Sequence, residues 1–254
     1  MTQPGRLSGS VAIVTGASAG IAEAIAKTFA REGAAVAIVS RNVAETKRVA
    51  ADIEKAGGSA IALQADVTRA GDVDTMMNAV MERWHAADIL VNGVGGWQHR
   101  ALIHEIPEDE WDYTIALNLK SAYLCCKAVA PVMMQRKRGR VINLGSQSGS
   151  APNPSSLSSL PYATAKAGLI GFTRHLAKQL GPYGITVNTI SPGTTLTPRV
   201  EKLWDPANRE RIASLNAMKS LVEPQDSAEA ALFLASDAAR YITGVNLDVN
   251  AGNR

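Results

Sequence analysis

The chain has 254 residues, 46% of them hydrophobic, and sets 26 Lys and Arg against 23 Asp and Glu for a net charge of +3. A chain this long buries about 70–75% of its unfolded surface in one core, so a single domain spanning 1–254 is expected. The mild charge, without basic residues interleaved with aromatics, speaks against a nucleic-acid partner, and no apolar run reaches the length of a membrane span.

The first strand, Val11 to Val14, runs into Thr15-Gly16-Ala17-Ser18-Ala19-Gly20-Ile21-Ala22, after which Ile21, Ala24, Ile25 and Phe29 recur at helical spacing. Strand, glycine turn and helix N-terminus together offer unpaired N–H groups and a positive dipole end to a pyrophosphate. Gly16, Ser18, Gly20 and Ile21 are the expected cofactor contacts. A tight connection without a ligand is the alternative, but the turn lies in the first βαβ unit, where dinucleotides bind.

The second strand, Ala35 to Ser40, ends in Ser40-Arg41-Asn42. A carboxylate there would accept both ribose hydroxyls of NAD and repel a 2′-phosphate; a hydroxyl and a guanidinium favour NADP. Alternatively Arg41 is a solvated loop residue. Asn42 also reads as a helix cap, with Glu45 completing a capping box.

Asp66-Val67 follows a strand from Ala60 to Ala65, and another strand leads into Asn92-Gly93-Val94-Gly95. Asn118 follows in a helical run, and adjacent Cys125 and Cys126 in an apolar helix read as buried small hydrophobes. They cannot form a disulfide framework, which fits a reducing cytoplasm, and Met1 to Leu7 shows no apolar targeting region. His85, His99, His104 and His175 lack ligand spacing, so no metal is expected. Arg136-Lys137-Arg138 with Arg140 reads as a solvated loop before a strand that runs from Val141 toward Ser146. Ser146 offers a hydroxyl to a substrate carbonyl.

After a Pro- and Ser-rich loop, Ala151 to Pro161, Tyr162 and Lys166 stand four apart on one helix face. A tyrosine hydroxyl titrates near ~10, and a nearby ammonium favours the phenolate, which makes Tyr162 a general acid/base. Ile190 to Pro198 follows the next strand, and the polar, helical stretch 196–219 reads as a substrate lid. Trp97, Gln98, His99, Leu102, Leu157, Leu160, Leu203, Trp204 and Met218 are candidates for an apolar substrate wall. Core packing or subunit contact is the competing role for each. Alternating strands and helices from Val11 to Val249 imply an α/β fold: a Rossmann-type, doubly wound parallel sheet of about seven strands with helices on both faces.

From Leu7 to about Gly252 this ordered set of motifs resembles the short-chain dehydrogenase/reductase family. The resemblance implies an NAD(P)-dependent oxidoreductase in which Tyr162 is the general acid/base and Ser146 polarises the carbonyl or carbinol oxygen. Lys166 would bind the nicotinamide ribose and lower the tyrosine pKa, and Asn118 would hold a water in a proton relay. Asp66 and Val67 would meet the adenine, Asn92 and Gly93 would pass beneath the adenosine ribose, and Pro192, Gly193, Thr195 and Thr197 would cover the nicotinamide. The family also implies a homotetramer built on the helices carrying Asn118 and Tyr162.

Four features depart from the family pattern. Ala22 replaces a glycine, adding a methyl without removing a phosphate-binding N–H; Asn92-Gly93-Val94-Gly95 replaces Asn-Asn-Ala-Gly; and Val249-Asn250-Ala251-Gly252 replaces Val-Asp-Gly-Gly. Ser146 to Tyr162 is 16 residues where about 13 is usual, which keeps Ser148 as an alternative to Ser146. The leading reading is an NADP-dependent oxidoreductase acting on a small carbonyl or alcohol of 3-oxoacyl, cyclic ketone, sugar or polyol type. The alternative is a catalytically idle nucleotide-binding regulatory or assembly subunit, which would need neither Ser146 nor the tyrosine proton.

Overall fold

The computed structural model describes residues 5–97, 99–150 and 159–253. The first strand–helix units are β1 (Val11–Thr15), α1 (Gly20–Arg31), β2 (Ala35–Ser40), α2 (Val43–Lys55), β3 (Ser59–Gln64) and α3 (Ala70–Trp84). The second run comprises β4 (Ile89–Asn92), α4 (Glu108–Ile115), α5 (Ser121–Arg136), β5 (Gly139–Leu144), α6 (Gln147–Ser150), α7 (Leu160–Leu180) and β6 (Ile185–Pro192). The chain ends with α8 (Pro198–Leu203), α9 (Pro206–Leu215), α10 (Pro224–Ala235) and β7 (Asn246–Val249).

The strands form one seven-stranded parallel sheet in the order β3-β2-β1-β4-β5-β6-β7. The central strands are buried along their whole length, because helices cover both faces and leave no solvated side on which polar residues would alternate. Successive side chains point to opposite faces. Ala12 and Val14 therefore pack with Ile25 and Phe29 of α1, while Ile13 packs with Leu90 and with Val129 and Met133 of α5. Helix α1 buries Ala22, Ile25, Ala26 and Phe29, the one-face spacing that docks an amphipathic helix on a sheet. The sheet so held is the rigid base of the site.

Two details differ from the sequence reading. Arg140 is not in a solvated loop: it is the second residue of β5, 8% exposed, donating to the Gly139 carbonyl at 3.0 Å and to Asp237 at 3.2 Å. Arg136 ends α5 and reaches buried Asp88 at 3.3 Å, so only Lys137 and Arg138 connect helix to strand. Asn42 caps α2 by accepting the Glu45 N–H at 3.2 Å, but the Glu45 carboxylate turns to Arg48 at 2.7 Å, so the capping box does not close. Among the described residues no helix is long and apolar enough to cross a membrane.

Chain order reverses at β1, which lies between β2 and β4. Crossovers leaving in opposite directions open a crevice beyond the carboxyl ends of these strands.

Candidate active site

A cavity of about 340 Å³ occupies that crevice, lined by Gly16, Ser18, Ser40, Arg41, Asn42, Asp66, Val67 and Gly93 of the expected cofactor contacts, with Gly95 and Leu117. Gly16 has φ +71°, and a Cβ there would stand 2.8 Å from the Gly93 backbone, so the turn demands glycine. Helix α1 begins after Ala19, whose side chain caps nothing. Its first-turn N–H groups are left for an anion, which is the arrangement a dinucleotide pyrophosphate fits. Glu23 in that first turn would oppose an anion, but it is paired with Lys27 at 2.8 Å and Arg48 at 2.9 Å. Burial pushes its carboxyl up, and the two cations together hold it below its ordinary value.

Two departures from the family pattern meet at one contact. A Cβ on Gly93 would lie 2.8 Å from the Ala22 methyl and collide with the Thr15 carbonyl; the chain adds a methyl on α1 and has no side chain opposite it. Asn92 does not line the cavity. It is 5% exposed, and its amide Nδ2 donates to Asn143 Oδ1 at 2.8 Å and sits 3.4 Å from Cys126 Sγ, inside the sheet layer. Gly20 and Ile21 open α1, and Pro192, Gly193, Thr195 and Thr197 follow or end β6. The Thr197 methyl lies 3.3 Å from the Cβ position of Gly20, so this segment crosses over the glycine turn. The C-terminal turn supports it: Gly193 donates to the Val249 carbonyl at 2.9 Å and packs on Asn250.

At the end of β2, Ser40 accepts the Asn42 N–H at 3.0 Å. Arg41 forms no ion pair among the described residues. Asp66 accepts the Thr68 N–H at 3.0 Å and hydroxyl at 2.7 Å. Burial pushes its carboxyl up, but these bonds with the fields of Arg41 and Arg69 leave it below its ordinary value.

The four expected catalytic residues come together where β4, β5 and α7 meet. Lys166 is 3% exposed, donates to the Leu144 carbonyl at 2.6 Å and lies 5.6 Å from the Tyr162 ring centroid. Ser146 stands two residues beyond β5, and its side chain hydrogen-bonds the Tyr162 hydroxyl. Ser148, in α6, donates its backbone N–H to Ser146 Oγ at 3.2 Å. Asn118 sits in a π-helical stretch, Ala116–Lys120, between α4 and α5, and such widened turns often mark functional sites. Its amide donates to Gly96 O at 2.8 Å and Thr114 O at 2.9 Å, and its oxygen accepts from Gly96 N at 3.0 Å. A Cβ on Gly95 would lie 2.8 Å from Asn118 Oδ1 and 2.9 Å from Lys166 Nζ, so the Gly95 backbone threads between the two.

The expected lowering of the Tyr162 pKa by Lys166 is corrected. Burial raises the Tyr162 hydroxyl above its ordinary value, against a hydrogen bond from Ser146 and the charge of Arg199. Lys166 is desolvated as well and falls to about 8, so it has lost its proton before the tyrosine titrates. The sequence reading missed Arg199 and the Gly95-Gly96 pair. Two glycines at a strand end were a visible signal for close approach; nothing in the sequence marked Arg199.

Of the proposed substrate wall, Leu102 is 65%, Leu203 66% and Met218 75% exposed. Leu160 opens α7, Trp204 joins α8 to α9, and Trp97 and His99 follow β4. Gln98, Leu157 and residues 151–158 of the inserted loop lie outside the described residues. Among the described residues no group of three His, Cys, Asp or Glu side chains is placed to hold a metal.

Residues 16–254 match the family model described as enoyl-(acyl carrier protein) reductase. The chain is 38% identical over 248 residues to a 3-oxoacyl-[acyl-carrier-protein] reductase of Synechocystis sp., covering 97% of each chain. It superposes with a TM-score of 0.92 on 7α-hydroxysteroid dehydrogenase solved with NADH and 7-oxo glycochenodeoxycholic acid, at 31% identity over 100% of this chain and 98% of that one. Against a 3-oxoacyl-[acyl-carrier protein] reductase of Brucella melitensis the TM-score is 0.91 at 31% identity, over 97% and 92% of the two chains. The chain belongs to the short-chain dehydrogenase/reductase family, and is an NAD(P)-dependent oxidoreductase acting on C=O or CH–OH groups. All three relatives are named as enzymes, which favours this over an idle subunit.

Proposed function

We propose that the protein is an NADP(H)-dependent carbonyl reductase with Tyr162 as proton donor, Ser146 as carbonyl holder, and Lys166 and Asn118 as positioning groups. The hydrogen bond between Ser146 and Tyr162, with Lys166 buried beside them at the mouth of the nucleotide crevice, carries this reading. When bound, the nicotinamide supplies a hydride to the carbonyl carbon or takes one from the carbinol. Ser146 and Tyr162 converge on the substrate oxygen, and the tyrosine O–H gives up its proton as negative charge develops there. Its raised pKa keeps that proton in place at neutral pH, which suits reduction. Below about pH 8 Lys166 keeps its proton, and its ammonium stabilises the phenolate left behind. Asn118 fixes Gly96 and with it the strand-end backbone against Lys166.

Arg41, which lines the cavity and has no ion-pair partner among the described residues, supports NADP over NAD. The steroid relative was solved with NADH, so family membership alone does not choose. Residues 196–219, carrying α8 and α9, act as the lid. A homotetramer would use α5 and α7, where Tyr123 is 46% exposed and a Cβ on Gly171 would meet open space. The acyl-carrier relatives make 3-oxoacyl thioesters the first substrates to try, ahead of cyclic ketones and polyols.

The test is nicotinamide absorbance with NADPH and NADH across those three substrate types, beside light scattering for the oligomer. Reduction of a 3-oxoacyl thioester faster with NADPH than with NADH is expected. A chain that binds NADPH but turns over no carbonyl or alcohol would overturn the enzyme reading.

A further inference from the structure

Arg199 is the second residue of α8, on the segment that crosses the glycine turn. From there it reaches across the mouth of the site. Its Nη2 donates to the Trp97 carbonyl at 3.1 Å, and its Nη1 lies 3.4 Å from where a Cβ on Gly96 would project. Gly96 is the residue held from behind by Asn118, and Gly95 lies against Lys166. The guanidinium therefore occupies the bank opposite the reacting residues, and its charge is felt at the Tyr162 hydroxyl.

This cation has no carboxylate partner among the described residues. The nearest acids in sequence do not pair with it: Asp205 caps α9 by accepting the Asn208 N–H at 2.7 Å, and Glu201 forms no ion pair among the described residues. One carbonyl uses one of five guanidinium N–H donors. An exposed arginine with donors to spare, aimed beside a proton-transfer group, has the planar geometry that grips a carboxylate.

We propose that Arg199 recognises a carboxylate carried by the substrate near its reacting carbon, so that the enzyme prefers oxo acids or their hydroxy counterparts to neutral carbonyl compounds of the same size. This rests on the carbonyl-reductase reading and narrows it. A purely mechanical role, latching α8 to the Trp97 segment, would instead treat charged and neutral substrates alike.

The experiment compares wild type, Arg199→Met and Arg199→Lys with acetoacetate and methyl acetoacetate, which differ in the charge. Calorimetry on the NADP⁺-loaded protein adds butyrate and butyramide as unreactive probes. Wild type should bind butyrate and not butyramide. Arg199→Met should weaken butyrate about ten- to hundredfold, and lower the acetoacetate-to-ester ratio of kcat/KM to the same extent through KM, while Arg199→Lys keeps most of both. Equal losses on the two ketones with butyrate binding unchanged would make Arg199 a latch and overturn the proposal. So would a wild type that reduces the ester but binds butyrate no better than butyramide, which would leave carbonyl reduction standing. Arg199-dependent butyrate binding without turnover of any carbonyl would sink the reductase reading, and with it the substrate preference, and leave only carboxylate binding by Arg199 standing.

Discussion

On the nucleotide side, one part of the cleft at the β1–β4 switch is walled by Gly16, Ser18, Gly93 and Gly95, with Gly93 against the Thr15 carbonyl and Gly95 against Asn118 and Lys166. The proposed substrate wall draws instead on long side chains, Leu102, Leu203 and Met218, that stand well exposed. The difference follows from what each side must recognise. A pyrophosphate is bound by backbone N–H groups, so the chain conformation itself is the recognition element and glycine is required where the backbone turns left-handed or approaches closely. A carbonyl compound is gripped by side chains that need only a supporting segment.

Tyr162→Phe should separate the two sides most sharply. Turnover should fall by about two to four orders of magnitude, while NADP(H) affinity, read by fluorescence titration, stays near that of the parent. Unchanged turnover would remove Tyr162 from the chemistry.

Lys166 ties the two sides together, and its burial should be visible in stability. The folded-state pKa is lowered from 10.5 to about 8, so between those values the unfolded chain holds a proton that the folded chain has released. Stability then rises with pH across that window, by about 3 kcal/mol from this group; the destabilisation is fully present below about pH 8 and gone above the unfolded value. Urea unfolding at pH 8 and pH 10.5 should show this increment in wild type and its loss in Lys166→Met. Parallel profiles would mean that Lys166 is not desolvated.

Gly16→Ala tests whether the nucleotide side depends on backbone. Its φ of +71° and the 2.8 Å approach to Gly93 should cost about 1–3 kcal/mol of strain, weakening both NADP and NAD by roughly one to two orders of magnitude. A smaller effect, confined to which nucleotide is chosen, is expected from Arg41→Asp: the NADP-to-NAD ratio of affinities should drop by about tenfold or more, as one charge-assisted contact becomes a repulsion. A parent protein that already prefers NAD would refute the role given to Arg41.

The motifs that were legible before the structure are those whose meaning is local. Strand, glycine turn and helix spacing announced β1 and α1, and the Tyr162 to Lys166 interval of one helical turn placed both side chains on one face. Asn42 was read correctly as a cap, but the fate of Glu45 was not, because Arg48 competes for it from one turn farther along α2. The direction of the Tyr162 shift was misread for a similar reason: sequence spacing shows that a lysine is near but not that it is itself stripped of water.

The sequence by itself thus determined the layer order and the parallel sheet, and it singled out the residues proposed for the reacting centre, since periodicity and short motifs are set by neighbours along the chain. Only the tertiary structure decided that Asn92 turns into the sheet while Gly93 faces the cavity, that Ala22 and Gly93 complement each other, and that Arg199 looks across at Tyr162. These relations join residues 71, 51 and 37 positions apart or differ by one side-chain direction at a strand end. They depend on how strands register and where segments cross, and no pattern along the chain encodes that.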